Sequence, residues 1–562
     1  MDSCLTQQIP ISLPPWRKYS GAPTIPGYTA VTSLTPILEK FFGKLPDSEG
    51  QIHSDNLFGK LHDFEGSGEC TVETVARKKK NTFCKVTHIL DPVRTIQAYY
   101  SDSVKGIERR DRKVKNPMNQ AYVDSFACYL LGQLRERNIS PHFCLFYGSF
   151  QANADKYRYN VTQEFESYRK YRIFWERRRA GVFSLIIERG EEETDEEEEE
   201  EEEDLNDHWL AHTPKSSLRS TEFEYNTPRS SLNGSVKGCD DSDDEILDVD
   251  QPLGDSTLEL QSVGSLPSVG EEDETEEDEE SEETEEDSLE VYIELKDYPV
   301  MLMFQEKMEG VLDDLLEGGV EELGAEPGTP EWEARWIAWT FQVIAALCAA
   351  QGVYGMTHND LHTNNIVWKK TDQTWLWYKS RDGTVWRVPT YGKIFCIIDF
   401  GRSVFRVQDK WFISDDYERG GDAEGQYTFD HLKKSGHAEV YPNPSFDLCR
   451  YSVSVLEALY PEQPIERLDG AVLSDEGEWR VMETESPFWN LIWSWLIDDK
   501  GCNVLRDSDG TERFPDFDLY IHIAEHVHNA RPQDQIHKEI FKGFLVDSKD
   551  VGEWETVYPL FT

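Results

Sequence analysis

Apolar and polar positions along this chain follow two periods, one of strands and one of helices, separated by a long stretch with neither. Thr82-Phe83-Cys84-Lys85-Val86-Thr87 is a short run that predicts a strand. Asn116-Pro117 then supplies a helix N-cap with proline at the first helical position, and apolar residues at 123, 127, 130, 131 and 134 continue that helix. Residues 142–147 predict a second strand and 300–304 a third. Across 331–351, apolar residues at 332, 336, 339, 343, 347 and 350 predict a long helix. The runs 375–378 and 384–388 flank Asp382-Gly383, a hairpin signal. Residues 394–398 read as a buried strand ending at Asp399, and beyond 445 Leu448, Tyr451, Val455 and Leu459 share one helix face. Prolines at 10, 14, 15, 23, 26, 36 and 46 leave residues 1–54 as an irregular extension.

Charge explains the stretch without period. The 562-residue chain carries a net −51, but residues 191–290 alone hold 40 Asp and Glu against Lys215, Arg219, Arg229 and Lys237. That segment is worth −36 and leaves −15 for the other 462 residues, an ordinary acidic balance. Such runs repel themselves and bury too little apolar surface to offset chain entropy, so 191–290 is expected to be a disordered insertion. Basic partners are expected for it, in trans or among the basic clusters at 77–80, 105–115 and 169–179. Those clusters also suit solvated faces, and a nucleic-acid partner is disfavoured.

Ten cysteines never come closer than ten residues, which excludes paired zinc ligands and fits a reducing compartment. Met1-Asp2-Ser3-Cys4-Leu5-Thr6 lacks the basic and apolar regions of a secretion signal. The apolar run 341–347 is too short to cross a bilayer, so no membrane association is expected.

Candidate chemistry lies at His358-Asn359-Asp360-Leu361-His362-Thr363-Asn364-Asn365 and at Asp399-Phe400-Gly401. Phosphoryl transfer from ATP needs a group to orient the attacking hydroxyl, oxygen ligands for magnesium and a cation on the phosphates. Asp360 is the candidate base, Asn365 and Asp399 the candidate Mg2+ ligands, and Lys85 the candidate phosphate cation. A lysine inside an apolar strand needs an anionic partner, and Asp124 is the only acid between Arg112 and Arg135. Gly66-Ser67-Gly68 is a candidate phosphate loop or an ordinary turn. Gln305, Glu306 and Met308 are candidates to receive the adenine by backbone hydrogen bonds, or a plain strand-to-helix connection.

These stretches, with Gly421-Asp422-Ala423-Glu424-Gly425-Gln426-Tyr427 and Ser445-Phe446-Asp447-Leu448-Cys449-Arg450, resemble the protein kinase superfamily across about 55–562. More narrowly, the chain resembles the divergent serine/threonine kinases of large DNA viruses. The resemblance implies an α+β bilobal protein-kinase fold, with a mostly-β N-lobe over 55–190 and 291–310 and a helical C-lobe over 311–562. It implies serine/threonine phosphorylation of a protein substrate with ATP and Mg2+, and an Asp447 that braces the 358–365 loop. The location it implies is intracellular, in the host cytoplasm or virion, with the nucleus left open. Departures point elsewhere. Asn359 replaces the usual arginine, so no activating phosphate would find that partner, and His362 replaces the usual lysine. The latter is similar to small-molecule phosphotransferases, while the missing third glycine at Thr71 and the aspartate at 124 suit a scaffold pseudokinase.

Overall fold

A computed structural model of the chain describes residues 16–18, 23–43, 50–52, 58–64, 68–189, 289–429, 440–460, 467–469, 472–473, 479–480, 483–484, 486–506, 511–552 and 555–561. The acidic insertion expected over 191–290 lies outside them except for its last two residues, and Gly66 lies outside them altogether. Two compact units form, the first from the described residues of 1–91, 102–155 and 297–562, the second from those of 92–101 and 156–296. The architecture is mixed α+β, with antiparallel sheet and helices.

The sheet runs in the order Phe58–His62, Gly68–Thr74, Lys79–His88, Leu289–Glu306, Phe146–Asn160, Tyr28–Thr32, with residues 156–160 and 289–296 of its long strands counted in the second unit and the rest in the first. Alternation drives it: along Gly68–Thr74, Cys70, Val72 and Thr74 are buried while their neighbours are not. Lys79–His88 pairs antiparallel with both neighbours, which places Cys84 opposite Gly68 and Lys85 opposite Met303. In the second unit Phe183–Arg189 pairs antiparallel with residues 289–295, and the helices Thr162–Tyr168 and Arg172–Arg179 pack through Phe165 and Phe174.

The first unit's core gathers on four helices, Gln120–Glu136, Pro330–Tyr354, Phe446–Leu459 and Pro487–Trp495. Pro330 occupies the first turn of the longest, the Thr329 hydroxyl accepts from Trp332 N at 3.3 Å, and Gly355 ends it in the left-handed region. By length and composition this 25-residue helix could cross a membrane, but 94% of its apolar window is buried within the protein. Its hydrophobicity serves the core. The strands Trp375–Lys379 and Val385–Pro389 form the expected hairpin, with Gly383 at φ +95° where a side chain would be strained.

Three sequence expectations shift. Asn116 does not cap the helix Gln120–Glu136; its side chain accepts from Met118 N at 3.0 Å in a turn, and Asn119 caps instead by accepting from Ala121 N. Pro117 therefore shapes the approach and not the first turn. The strand placed at 142–147 starts at Phe146 and continues to Asn160, lying between Leu289–Glu306 and Tyr28–Thr32 in the sheet. Within the stretch expected to be irregular, Tyr28–Thr32 joins the sheet edge, and Pro36 opens a helix that buries Ile37, Leu38 and Phe41. Prolines at strand and helix starts do not break structure.

His142 illustrates the cost of burying a titratable group. Its Nδ1 lies 2.8 Å from the Phe395 carbonyl, which can only accept, so Nδ1 carries the proton. Nε2 then accepts from the Tyr378 hydroxyl at 2.7 Å, a bond that protonation would forfeit. Burial drives its pKa down to about 3. The unfolded ring protonates near pH 6.5 and the folded ring does not, so this contribution to stability is lost as pH falls. Between pH 7 and pH 5 the stability difference between wild type and His142→Gln should narrow by about 2 kcal/mol. Urea denaturation of both proteins across that range measures it, and a constant difference would contradict the assignment.

Candidate functional site

Lys85 rises from the middle of the Lys79–His88 strand, and Asp124 sits in the second turn of the helix that Asn119 caps. Asp399 follows the strand Lys393–Ile397 at φ +63°, a conformation aspartate tolerates better than most residues. The three side chains meet: Lys85 Nζ lies 2.7 Å from Asp124 Oδ2 and 2.7 Å from Asp399 Oδ1. Asp124 also accepts from Phe400 N through Oδ1 at 2.8 Å, so one carboxylate holds both the lysine and the backbone after Asp399. Asp124 is 2% exposed and Asp399 44%, which leaves Asp399 as the member open to a ligand.

The electrostatics follow from one ammonium between two carboxylates. Burial alone would lower the Lys85 pKa, but Asp124 and Asp399 together raise it, so the lysine is firmly charged. Burial holds Asp124 above the usual carboxylate range despite Lys85. At Asp399 burial pushes up, but the adjacent Lys85 ammonium outweighs it and holds the group below that range. With both carboxylates ionised, the cluster carries one negative charge in excess.

Below this cluster the 358–365 loop is pinned from inside. Asp447, fully buried at the start of the Phe446–Leu459 helix, accepts from His358 N at 3.0 and 3.1 Å and from Asn359 N at 2.8 Å. Asn359 adopts φ +67°; its amide donates to the Thr357 and Arg402 carbonyls and accepts from the Tyr427 hydroxyl at 2.7 Å. His358 Nε2 meets the Ile398 carbonyl at 2.8 Å, and Asn365 Nδ2 donates to the Asp360 carbonyl at 2.9 Å. The Asn365 carbonyl accepts from Ile398 N, which places Asn365 across the ladder from the residue preceding Asp399. Burial keeps the nearby His362 ring below its usual pKa.

Asp360 is only partly buried. Its Oδ1 accepts from the Tyr520 hydroxyl at 2.7 Å and lies 3.6 Å from Arg402 Nη1. Arg402 is itself held by Asp416 at 2.9 Å, and Arg450 Nε donates to the Tyr520 oxygen at 2.8 Å. Of the residues expected from the sequence, Lys85, Asp124 and Asp399 are in contact, while Tyr520, Arg402 and Asp416 around Asp360 were not among those expected. No local signal marks Tyr520, which arrives from 160 residues downstream.

The remaining candidates divide. Gly68 opens its strand at φ +82°, directly opposite Cys84 and so next to Lys85 in the register. Gln305 donates from its side chain to Cys128 Sγ at 3.5 Å, and the Glu306 carboxylate takes Lys369 Nζ at 2.7 Å. Glu306 N already donates to the Leu145 carbonyl at 2.9 Å, so that amide is not free to receive an adenine. Met308 lies just beyond the strand and packs beside Cys144, Val367 and Cys396, and no backbone bond engages its N–H among the described residues.

Among the described residues no three His, Cys, Asp or Glu side chains are grouped to hold a metal by themselves. Asp399 and Asn365 nevertheless offer hard oxygen donors beside an excess negative charge, a set that suits Mg2+ when a ligand supplies further oxygens. Chemically, the arrangement offers a fixed cation, a half-open carboxylate for a metal and a second carboxylate braced by a phenol. No protein-family model matches the chain, and no curated protein matches it.

Proposed function

We propose that this chain is an ATP- and Mg2+-dependent serine/threonine protein kinase of the bilobal fold. The observation that carries the reading is the 2.7 Å contact of Lys85 with both Asp124 and Asp399, residues far apart in sequence. Phosphoryl transfer asks the protein chiefly for positioning and charge stabilisation, and each named residue has a part in that. Lys85, anchored by Asp124, places a permanent cation on the ATP phosphates. Gly68 lets backbone N–H groups approach those phosphates, and Met308 offers a backbone donor to the adenine edge. Asn365 and Asp399 would hold Mg2+, whose chemistry when bound is to neutralise charge on the phosphate oxygens. Asp360 orients the acceptor hydroxyl and takes its proton.

Asn359 supports activity without a phosphorylated activation segment, because its amide is already satisfied by Tyr427, Thr357 and Arg402. A second reading is favoured by one observation, the half-buried His362 two residues after the base, which suits a small-molecule acceptor. The test is transfer of labelled γ-phosphate from ATP with magnesium to generic protein substrates and to a panel of small alcohols. Label on serine or threonine of protein is the expected result. Label on alcohols alone would favour the second reading, and label nowhere would leave a scaffold.

A further inference from the structure

We infer that Tyr520 is a positioning residue for Asp360, fixing which carboxylate oxygen serves as the base; the inference rests on the kinase reading and deepens it. The Tyr520 hydroxyl is committed in both directions. Its oxygen accepts from Arg450 Nε at 2.8 Å, so its proton must go elsewhere, and it goes to Asp360 Oδ1 at 2.7 Å. Arg450 is in turn fixed by donating to the Ser454 hydroxyl at 2.9 Å, one turn along its own helix.

The ring is held as firmly as the hydroxyl. It stacks on Phe517 with centroids 5.0 Å apart, tilts against Phe446 at 5.7 Å, and lies beneath the Arg450 guanidinium at 5.3 Å. Arg402 Nη1 also lies near Oδ1, but at 3.6 Å it is not hydrogen-bonded, and Asp416 holds it at 2.9 Å. Oδ1 is therefore occupied by a neutral donor. Oδ2 has no partner among the described residues, and it is the oxygen left to receive the acceptor proton.

A neutral phenol suits this role. It orients the carboxylate by a hydrogen bond from an uncharged donor, where serine/threonine kinases usually carry a lysine two residues after the base. In this chain that position is His362, whose Nε2 meets Asn365 Nδ2 at 3.1 Å.

Tyr520→Phe removes the hydroxyl and keeps the ring. It should lower kcat for phosphate transfer about tenfold while leaving the KM for ATP and the melting temperature unchanged, the pattern of lost orientation and not lost binding. In an Asp360→Asn background the same change should have no further effect, because the two act as one unit. An equal loss in both backgrounds, or a faster Tyr520→Phe enzyme, would overturn the inference; the latter would mean the phenol blocks the acceptor. An experimental structure of Tyr520→Phe gives a readout that does not depend on activity. The Asp360 carboxylate should occupy more than one rotamer there, and a single unchanged rotamer would overturn the assignment. If the wild type transfers no phosphate to any acceptor, the kinase reading fails, and the rotamer alone decides the positioning role.

Discussion

Asp360→Asn is expected to lower phosphate transfer by about 10²–10⁴-fold while ATP binding and melting temperature stay near wild type. The substitution is nearly isosteric, and the amide oxygen can still accept from Tyr520, so the loop keeps its support. Asn365 bonds the Asp360 backbone carbonyl and not its side chain, so that contact is also kept. What disappears is the ability to take a proton from the acceptor hydroxyl. Lys85, Asp124 and Asp399 are untouched, so binding of ATP, measured by calorimetry with Mg2+, should be unaffected. A parallel fall in ATP affinity would place Asp360 in nucleotide binding instead.

The largest effect on stability is expected at Asp447. Asp447→Ala strips the acceptor from His358 N and Asn359 N, both buried, and each orphaned amide costs about 1–3 kcal/mol. Asn359 is also held in the left-handed region, so the loop has little reason to keep its shape once released. A loss of about 2–6 kcal/mol is expected from chemical denaturation. Asp447→Asn should cost much less, since it keeps an oxygen facing the amides and removes a carboxylate that burial holds above its usual range. If Asp447→Ala stayed within about 1 kcal/mol of wild type, the bracing would be incidental.

How far the sequence reveals this site depends on whether a feature is local. The long core helix and the hairpin at Gly383 were legible because period and turn chemistry act over a few residues. Lys85 and Asp124 were legible for a different reason: a lysine within an apolar run and a lone carboxylate in an apolar helix each need the other. The Asn116 error came from two asparagines three residues apart, both good caps, with the Asp415 carboxylate deciding between them. It takes Asn116 Nδ2, Lys113 Nζ and Gln120 N at 3.0, 2.8 and 3.0 Å, a choice made from almost 300 residues away. Tyr520 and Arg402 were hidden in the same way, since their partners are set by chain topology and leave no trace in local spacing. The engaged amide of Glu306 depends on the Leu145 carbonyl, again a distant neighbour.

The central claim is that Lys85, Asp360 and Asp399 together move a phosphoryl group from ATP to a protein hydroxyl. Its most direct test is to follow labelled γ-phosphate in one purified preparation of wild type beside Asp360→Asn, with Mg2+ and generic protein substrates. Wild type should place the label on serine or threonine, and Asp360→Asn should do so at least about a hundredfold more slowly. Equal transfer by the two proteins, or none by wild type while ATP is bound, would contradict it.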